Sequence, residues 1–508
     1  MKKAKSLILG IFSPDAFRIV FLFMSLLGVC PVVAPTIEPY LKLLHVYALG
    51  VLVIDFVSER RIFRNKGRAI LVIFVLSYLI TMLTNRNLFG FSYLSNFCYY
   101  VECLSLVYSF GRRSDDRNTI VERLIAVVIS CANLINIWMF FAKFHIYIPE
   151  RGYLGMFPDE NRLAGLFGNP NVLGMVCLGG IVLSLICAAN EKKQSWRIFY
   201  LVLCFVNYIT LLLANSRTQI YSVAIMGFVI VFALLLKNER NVKQICLAVF
   251  SGLMCMVVVI SGGRLLQLGM SALDVNYEYY VLNISNQKDI FQNEQEVLIA
   301  DSEEFNSNQE VEQKSEITVE PGKEDVQKSD SNLNVETIER SESGGFNGRI
   351  DLWKIGWQLF LARPIFGTGM DNHDNALRDL GMEVLPVRGN FHNVYLEVLV
   401  DFGIVGFACL VIYLLTMLLD IVRLFQFGDG DNWILNAVLL GAVVAFLVDG
   451  LADSTLVSSL YPTAIFFWMT ASRYAYFLEQ ENTRTGHFKP GILCRLTDSL
   501  TAKIHQKG

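Results

Sequence analysis

Apolar runs of spanning length, separated by short polar or basic stretches, recur from about residue 16 to 261 and again from about 402 to 477. A membrane-spanning helix needs ~20 mainly apolar residues. Twelve segments come close: 16–34, 39–57, 69–84, 89–110, 122–143, 171–189, 197–214, 218–236, 244–261, 402–423, 433–453 and 458–477. The second contains Asp55 and the fourth Glu102. Between the ninth and tenth lies a long polar segment, 262–401. Its centre, 284–345, is rich in Glu, Asp, Ser, Asn and Gln and has too few apolar clusters to offset chain entropy, so a disordered acidic insertion is predicted there.

Order is expected to resume after Gly344 and Gly345. Ile350, Trp353, Trp357, Phe360 and Leu361 recur at helical spacing with Asp351, Lys354 and Gln358 between them, which suits a helix lying at headgroup level. Arg363 and Pro364 end it. A second amphipathic stretch, His392 to Val400, leads through Asp401 and Gly403 into the tenth span. The predicted fold is all-α and polytopic, with about twelve transmembrane helices and a large extracytoplasmic loop carrying interfacial helices. It divides into helices 1–9 (1–261), the loop (262–401), helices 10–12 (402–477) and a basic tail (478–508). No repeat suggests two duplicated transporter halves.

Charge fixes the expected orientation, because cytoplasmic loops retain Lys and Arg. Alternate loops are basic: Arg60, Arg61, Arg64, Lys66 and Arg68; Arg112, Arg113 and Arg117; Lys192, Lys193 and Arg197; Lys237, Arg240 and Lys243. With Lys2, Lys3 and Lys5 before an uncleaved first span and the basic tail after the last, both termini are predicted inside. Composition agrees, with 54% hydrophobic and only 18% charged residues excluding an ordinary soluble enzyme. A net charge of -3 gives no reason to expect nucleic acid. Ten of the eleven cysteines fall in apolar segments, which argues against a disulfide framework or a zinc site.

On the predicted outer side, three residues suit one task. Arg217 follows Asn215 and Ser216 in a tight turn between two spans, Arg349 opens the interfacial helix, and His392 stands before the tenth span. Two guanidinium groups can grip a pyrophosphate through bidentate charge-assisted bonds and stabilise the charge of a phosphate leaving group. A histidine at the water boundary can take a proton from an attacking hydroxyl. Arg162, in the loop before the sixth span, would add a third cation, and Asn169-Pro170-Asn171 beside it forms a turn and helix start. Asp371, Asn372, His373 and Asp374 are taken as loop polarity rather than metal ligands, and no metal or other cofactor is expected.

These residues, in order, resemble the O-antigen ligase and polymerase family of bacterial envelope-glycan enzymes. The resemblance rests on Arg162 with Gly165 and Asn169-Pro170-Asn171, then Asn215-Ser216-Arg217, Gly348-Arg349 leading to Trp353, the turn Gly367-Thr368-Gly369, His392-Asn393 with Leu396, and Gly403 with Gly406. It covers roughly 150–425. The chain departs from the family at Thr218, where Gly is common, and in its acidic insertion.

The resemblance implies a GT-C-like membrane glycosyltransferase making a metal-independent, inverting transfer of a glycan. The donor is polyprenyl-pyrophosphate-linked, the acceptor is a hydroxyl on a glycan or lipid, and membrane lipids surround both. Arg217 and Arg349 would hold the pyrophosphate, His392 would activate the acceptor, and Arg162, Asn169, Asn171 and Asn393 would bind substrate. The rival readings are a transporter or flippase of lipid-linked glycans, a sugar transferase with an acidic pair in its first outer loop, and a non-catalytic assembly partner. The first outer loop, a few residues around Glu38, has no room for such a pair, and the best ionisable candidates sit at the outer boundary rather than the midplane where transporters place theirs. A topology reporter fused at Ser329 is expected to signal from the extracytoplasmic side; a cytoplasmic signal would overturn the orientation and the site together.

Overall fold

In lipid there is no hydrophobic drive between helices, so bundles close where small residues let neighbours approach. The helix Pro170–Asn190 is, among the described residues, the most buried of the six helices of spanning length. A Cβ at Gly179 would stand 2.2 Å from the Phe466 ring, and one at Gly174 would stand 2.6 Å from Ser216 Cβ.

The computed structural model describes residues 10–58, 68–85, 91–102, 116–148, 152–157, 162–237, 241–273, 346–370, 372–381, 391–427, 432–453, 456 and 462–485. The chain divides into two compact units, Met1–Arg264 with Arg349–Gly508, and Leu265–Gly348. Of the second unit, only the end of one helix and the start of another are described. The insertion predicted at 284–345 lies outside the described residues.

The elements run α1 (Pro14–Gly28), α2 (Ala34–Ser58), α3 (Arg68–Thr84), α4 (Phe91–Glu102), α5 (Asp116–Phe141), β1 (His145–Ile148), β2 (Gly152–Phe157), β3 (Arg162–Gly165), α6 (Pro170–Asn190), α7 (Gln194–Ala214), α8 (Arg217–Leu235), α9 (Val242–Leu273), α10 (Phe346–Ala362), α11 (His373–Asp379), α12 (Val394–Phe427), α13 (Trp433–Asp449) and α14 (Pro462–Thr485). Helix α6 packs on α5, α7, α13 and α14; α13 packs on α8, and α12 on α3.

The protein is mostly helical, as expected, with three differences. Among the described residues six helices are long and apolar enough to cross a membrane and four more are shorter and apolar; α14, with Arg473 buried in its middle, is in neither group. The ninth apolar helix continues past 261 to Leu273, its leucines carrying the helical pattern through Gly262 and Gly263. The stretch expected as a plain loop, about 144–170, holds a three-stranded antiparallel sheet in the order β1-β2-β3.

A polar ladder joins that sheet to the bundle. Asn207 Nδ2 donates to Ser130 Oγ at 2.9 Å, Asn133 Nδ2 to Asn207 Oδ1 at 2.7 Å, and Asn136 Nδ2 to Asn133 Oδ1 at 2.9 Å. The ladder ends where Asn136 Oδ1 accepts the Leu166 amide N–H at 2.8 Å, just after β3. Each amide is buried, and each finds a partner, which an apolar surrounding requires.

Helix α12 is broken at Gly403, whose φ of 65° and ψ of -169° fall in a region open essentially to glycine. The break frees backbone groups that lipid cannot satisfy, and the loop after α10 takes them up. Thr368 N donates to Val400 O at 2.8 Å, Gly369 N to Asp401 O at 3.1 Å, and Ile404 N to Pro364 O at 2.8 Å. The sequence places Asp401 and Gly403 at this junction as the lead into the tenth span, and the break falls there. A Cβ at Gly403 would stand 2.3 Å from Ile365 O. Gly403→Ala is therefore expected to destabilise the protein by more than the ~1–3 kcal/mol of backbone strain alone, read as a lowered unfolding midpoint in detergent; an unchanged midpoint would contradict the break.

Candidate functional site

The ends of α7, α8, α10, α12 and α13 meet around one turn, Gly450 to Asp453. Helix α7 closes on Asn215 in the left-handed conformation (φ 48°, ψ 40°), Ser216 is extended, and Arg217 begins α8. Asn tolerates that conformation better than most residues, which explains Asn215 in so tight a reversal. Ser216 is buried, whereas Arg217 is exposed and makes no hydrogen bond among the described residues.

One turn further into α8, the fully buried Gln219 organises the centre. Its Nε2 donates to Asp449 Oδ1 at 2.7 Å and to Asp453 Oδ2 at 3.1 Å, while its Oε1 accepts from the Ser216 hydroxyl. Asp453 extends the network: His392 Nδ1 lies 3.3 Å from Asp453 Oδ1. Arg349 arrives at the preceding residue, Nη1 donating to Ala452 O at 2.7 Å.

The segment carrying His392 is pinned on the same turn. Val394 N donates to Gly450 O at 2.9 Å and Tyr395 Oη to Leu447 O at 2.8 Å. His392 itself has a φ of 49°, unusual for a non-glycine residue, and its side chain is 39% exposed. Arg349 and His392, forty-three residues apart in sequence, are thus brought to adjacent residues, and Arg217 leaves the chain beside the buried pair Ser216 and Gln219.

The four residues expected to bind substrate have bonds within the protein. Arg162 Nε donates to Ala214 O at 3.0 Å and its Nη2 to Asn171 Oδ1 at 2.8 Å. Asn171 Oδ1 also accepts from the Ser216 hydroxyl at 3.2 Å. Asn169 caps α6, its Oδ1 accepting Asn171 N at 2.8 Å, and Asn393 caps α12, its Oδ1 accepting Tyr395 N and Leu396 N at 3.1 Å. Arg162 is therefore a tie between β3 and the helix ends that present Ser216 and Arg217.

His373 differs from the expectation of loop polarity. It opens α11, is buried, and bonds through Nε2 to Asp401 Oδ1 at 2.6 Å; Asp371 lies outside the described residues. Sequence reasoning also passed over Gln219, Asp449 and Asp453. A signal was there: Asp449 and Asp453 are four residues apart at the end of an apolar run, and acidic residues in such runs usually serve function. Among the described residues no cluster of three or more His, Cys, Asp and Glu could hold a metal ion.

Residues 199–411 match the family model described as O-antigen ligase. Arg217, Arg349 and His392 lie inside the matched stretch; Asp449 and Asp453 lie beyond it. No curated protein matches the chain. Gln219→Leu would leave two buried carboxylates without their shared donor, at about 1.5–3 kcal/mol for each bond lost to a charged group. The expected result is a clearly lower unfolding midpoint in detergent, and a wild-type midpoint would show that the bridge contributes nothing.

Proposed function

We propose, from the match of residues 199–411 to the family model described as O-antigen ligase, that this multi-pass membrane protein transfers a glycan from a polyprenyl-pyrophosphate-linked donor to a hydroxyl acceptor. That match supports glycan transfer of the O-antigen ligase or polymerase kind; the donor, the residues and the steps are our reading. The observation that carries it is the meeting of Arg349 and His392 on Ala452 and Asp453, with Arg217 leaving the chain beside Gln219, which bonds the same Asp453.

In this reading Asp453 accepts from His392 Nδ1–H, fixing the ring and leaving Nε2 to take the proton of the acceptor hydroxyl. The hydroxyl oxygen attacks the anomeric carbon of the donor sugar from the face opposite the pyrophosphate. The anomeric carbon–oxygen bond breaks with inversion, and polyprenyl pyrophosphate departs with the negative charge. Arg349 commits one donor to Ala452 O and offers the rest of its fork to that charge. Arg217 adds a second guanidinium at the start of α8, where the backbone N–H groups and the helix dipole also favour an anion. Because guanidinium groups carry the charge, the step needs no metal in this scheme.

The alternating basic loops support a site at the extracytoplasmic face of about twelve spans, with both termini cytoplasmic. The rival reading as a flippase or transporter gains no support from a site gathered at helix ends.

Arg217→Ala and Arg349→Ala are each expected to lower turnover about a hundredfold to a thousandfold, by analogy with lost oxyanion donors. Lys should rescue only in part, since it keeps the charge and loses the fork. His392→Ala should lower turnover about a hundredfold to ten-thousandfold, and a chelator should leave the wild type unaffected. The measurement is release of polyprenyl pyrophosphate by purified full-length variants, using the lipid-linked glycan extracted from host membranes as donor. Near-normal turnover by all three Ala variants, or abolition by chelator, would end this mechanism.

A further inference from the structure

His373 and Asp401 form a hydrogen-bonded pair with side-chain exposures of 2% and 1%. Such pairs give little net stability, because well-packed apolar residues in their place are often neutral or better. What a pair of this kind supplies is direction: the 2.6 Å bond from Nε2 to Oδ1 sets where the imidazole ring stands. That ring packs against Phe391, centroids 4.8 Å apart.

Phe391 is fully buried, and its carbonyl oxygen accepts from Trp353 Nε1 at 2.9 Å. Trp353 lies one helical turn after Arg349 on α10. The residue after Phe391 is His392, in a left-handed conformation that a non-glycine residue keeps only where its surroundings over-determine it. Asp401, in turn, is two residues from the Gly403 break, and its carbonyl accepts from Gly369 N. The pair therefore sits where the Arg349 helix, the His392 segment and the broken helix are joined through one phenylalanine.

We propose that the His373–Asp401 pair is a positioning device that fixes His392 relative to Arg349 by holding Phe391 between His373 and Trp353. This rests on the reading of Arg349 and His392 as reacting groups. Neither His373 nor Asp401 touches substrate. Their effect is on the alignment of the reacting groups, where a displacement of about 1 Å can lower a rate roughly a hundredfold.

The test uses the full chain in lipid nanodiscs, the lipid-linked glycan extracted from host membranes as donor, and released polyprenyl pyrophosphate as readout. His373→Phe with Asp401→Leu removes both partners at once, so no buried charge is stranded, and the ring against Phe391 is kept. This double variant is expected to hold the wild-type unfolding midpoint, lose about tenfold to a hundredfold in kcat, and change KM by less than about twofold. His373→Gln, which keeps an N–H donor for Asp401, should retain most of kcat.

A wild-type kcat in the double variant, with His392→Ala inactive, would overturn the positioning role and leave the site reading standing. An active His392→Ala would instead overturn the site reading and this proposal with it. If the double variant unfolds, Asp401→Asn against Asp401→Leu decides, because Asn keeps an acceptor oxygen for His373; equal kcat values in those two would overturn the proposal.

Discussion

The Gln219 side-chain amide, bonded to Asp449 and Asp453 at once, is the interaction on which the site depends. A carboxylate buried among apolar helices is tolerated only with hydrogen-bond partners. Here the α8 amide holds two that arrive at the end of α13. Once Asp453 is fixed by Gln219, its other oxygen is free to face His392, and the turn at Ala452 is placed to receive Arg349. Deep packing reaches the same point from the other side, since Gly174 on α6 gives Ser216 the space to stand beside Gln219.

A second constraint is the need to pair every backbone group in an apolar setting. The break at Gly403 would leave carbonyl and amide groups of α12 unsatisfied, and the loop 364–369 supplies their partners. That loop is anchored to α3, where Thr81 Oγ1 donates to Phe366 O and Asn85 Nδ2 donates to Gly367 O at 3.1 Å. The first half of α12, which carries the His392 segment, thus takes its direction from the loop and from α13, independently of the long second half.

Much of this was legible in the sequence, and the reason differs from residue to residue. Arg217, Arg349 and His392 drew notice as candidates because charge beside apolar runs is conspicuous, while Asp401 and Gly403 marked the lead into the tenth span without announcing the break there. Asp449 and Asp453 were hidden inside a stretch whose mean character is apolar. Gln219 was hidden because an uncharged amide gives no signal until its partners are known. The β1-β2-β3 sheet was missed because four- to six-residue strands in a polar loop lack the length for a clear alternation. Arg162, Asn169, Asn171 and Asn393 were legible as polar residues beside helix starts, but residue type alone does not announce the caps and the inter-element tie they form.

The two ends of the bundle handle charge in opposite ways, and α5 reaches towards both. Near its start, buried Glu122 faces buried Arg473 at 3.7 Å, and Arg123 bonds Glu191 at 2.9 Å. About 21 Å further along, at ~1.5 Å per residue, Asn136 holds the loop after β3, whose first residue, Arg162, ties down the chain before Arg217. A guanidinium already matched by a carboxylate has little attraction left for a substrate anion, so the first end is suited to joining helices. At the second end Asp449 and Asp453 are turned inward onto Gln219 and His392, and Arg217 is left exposed. Among the described residues, turning Asp449 and Asp453 inward is what leaves Arg217 at the start of α8 facing solvent without a carboxylate partner.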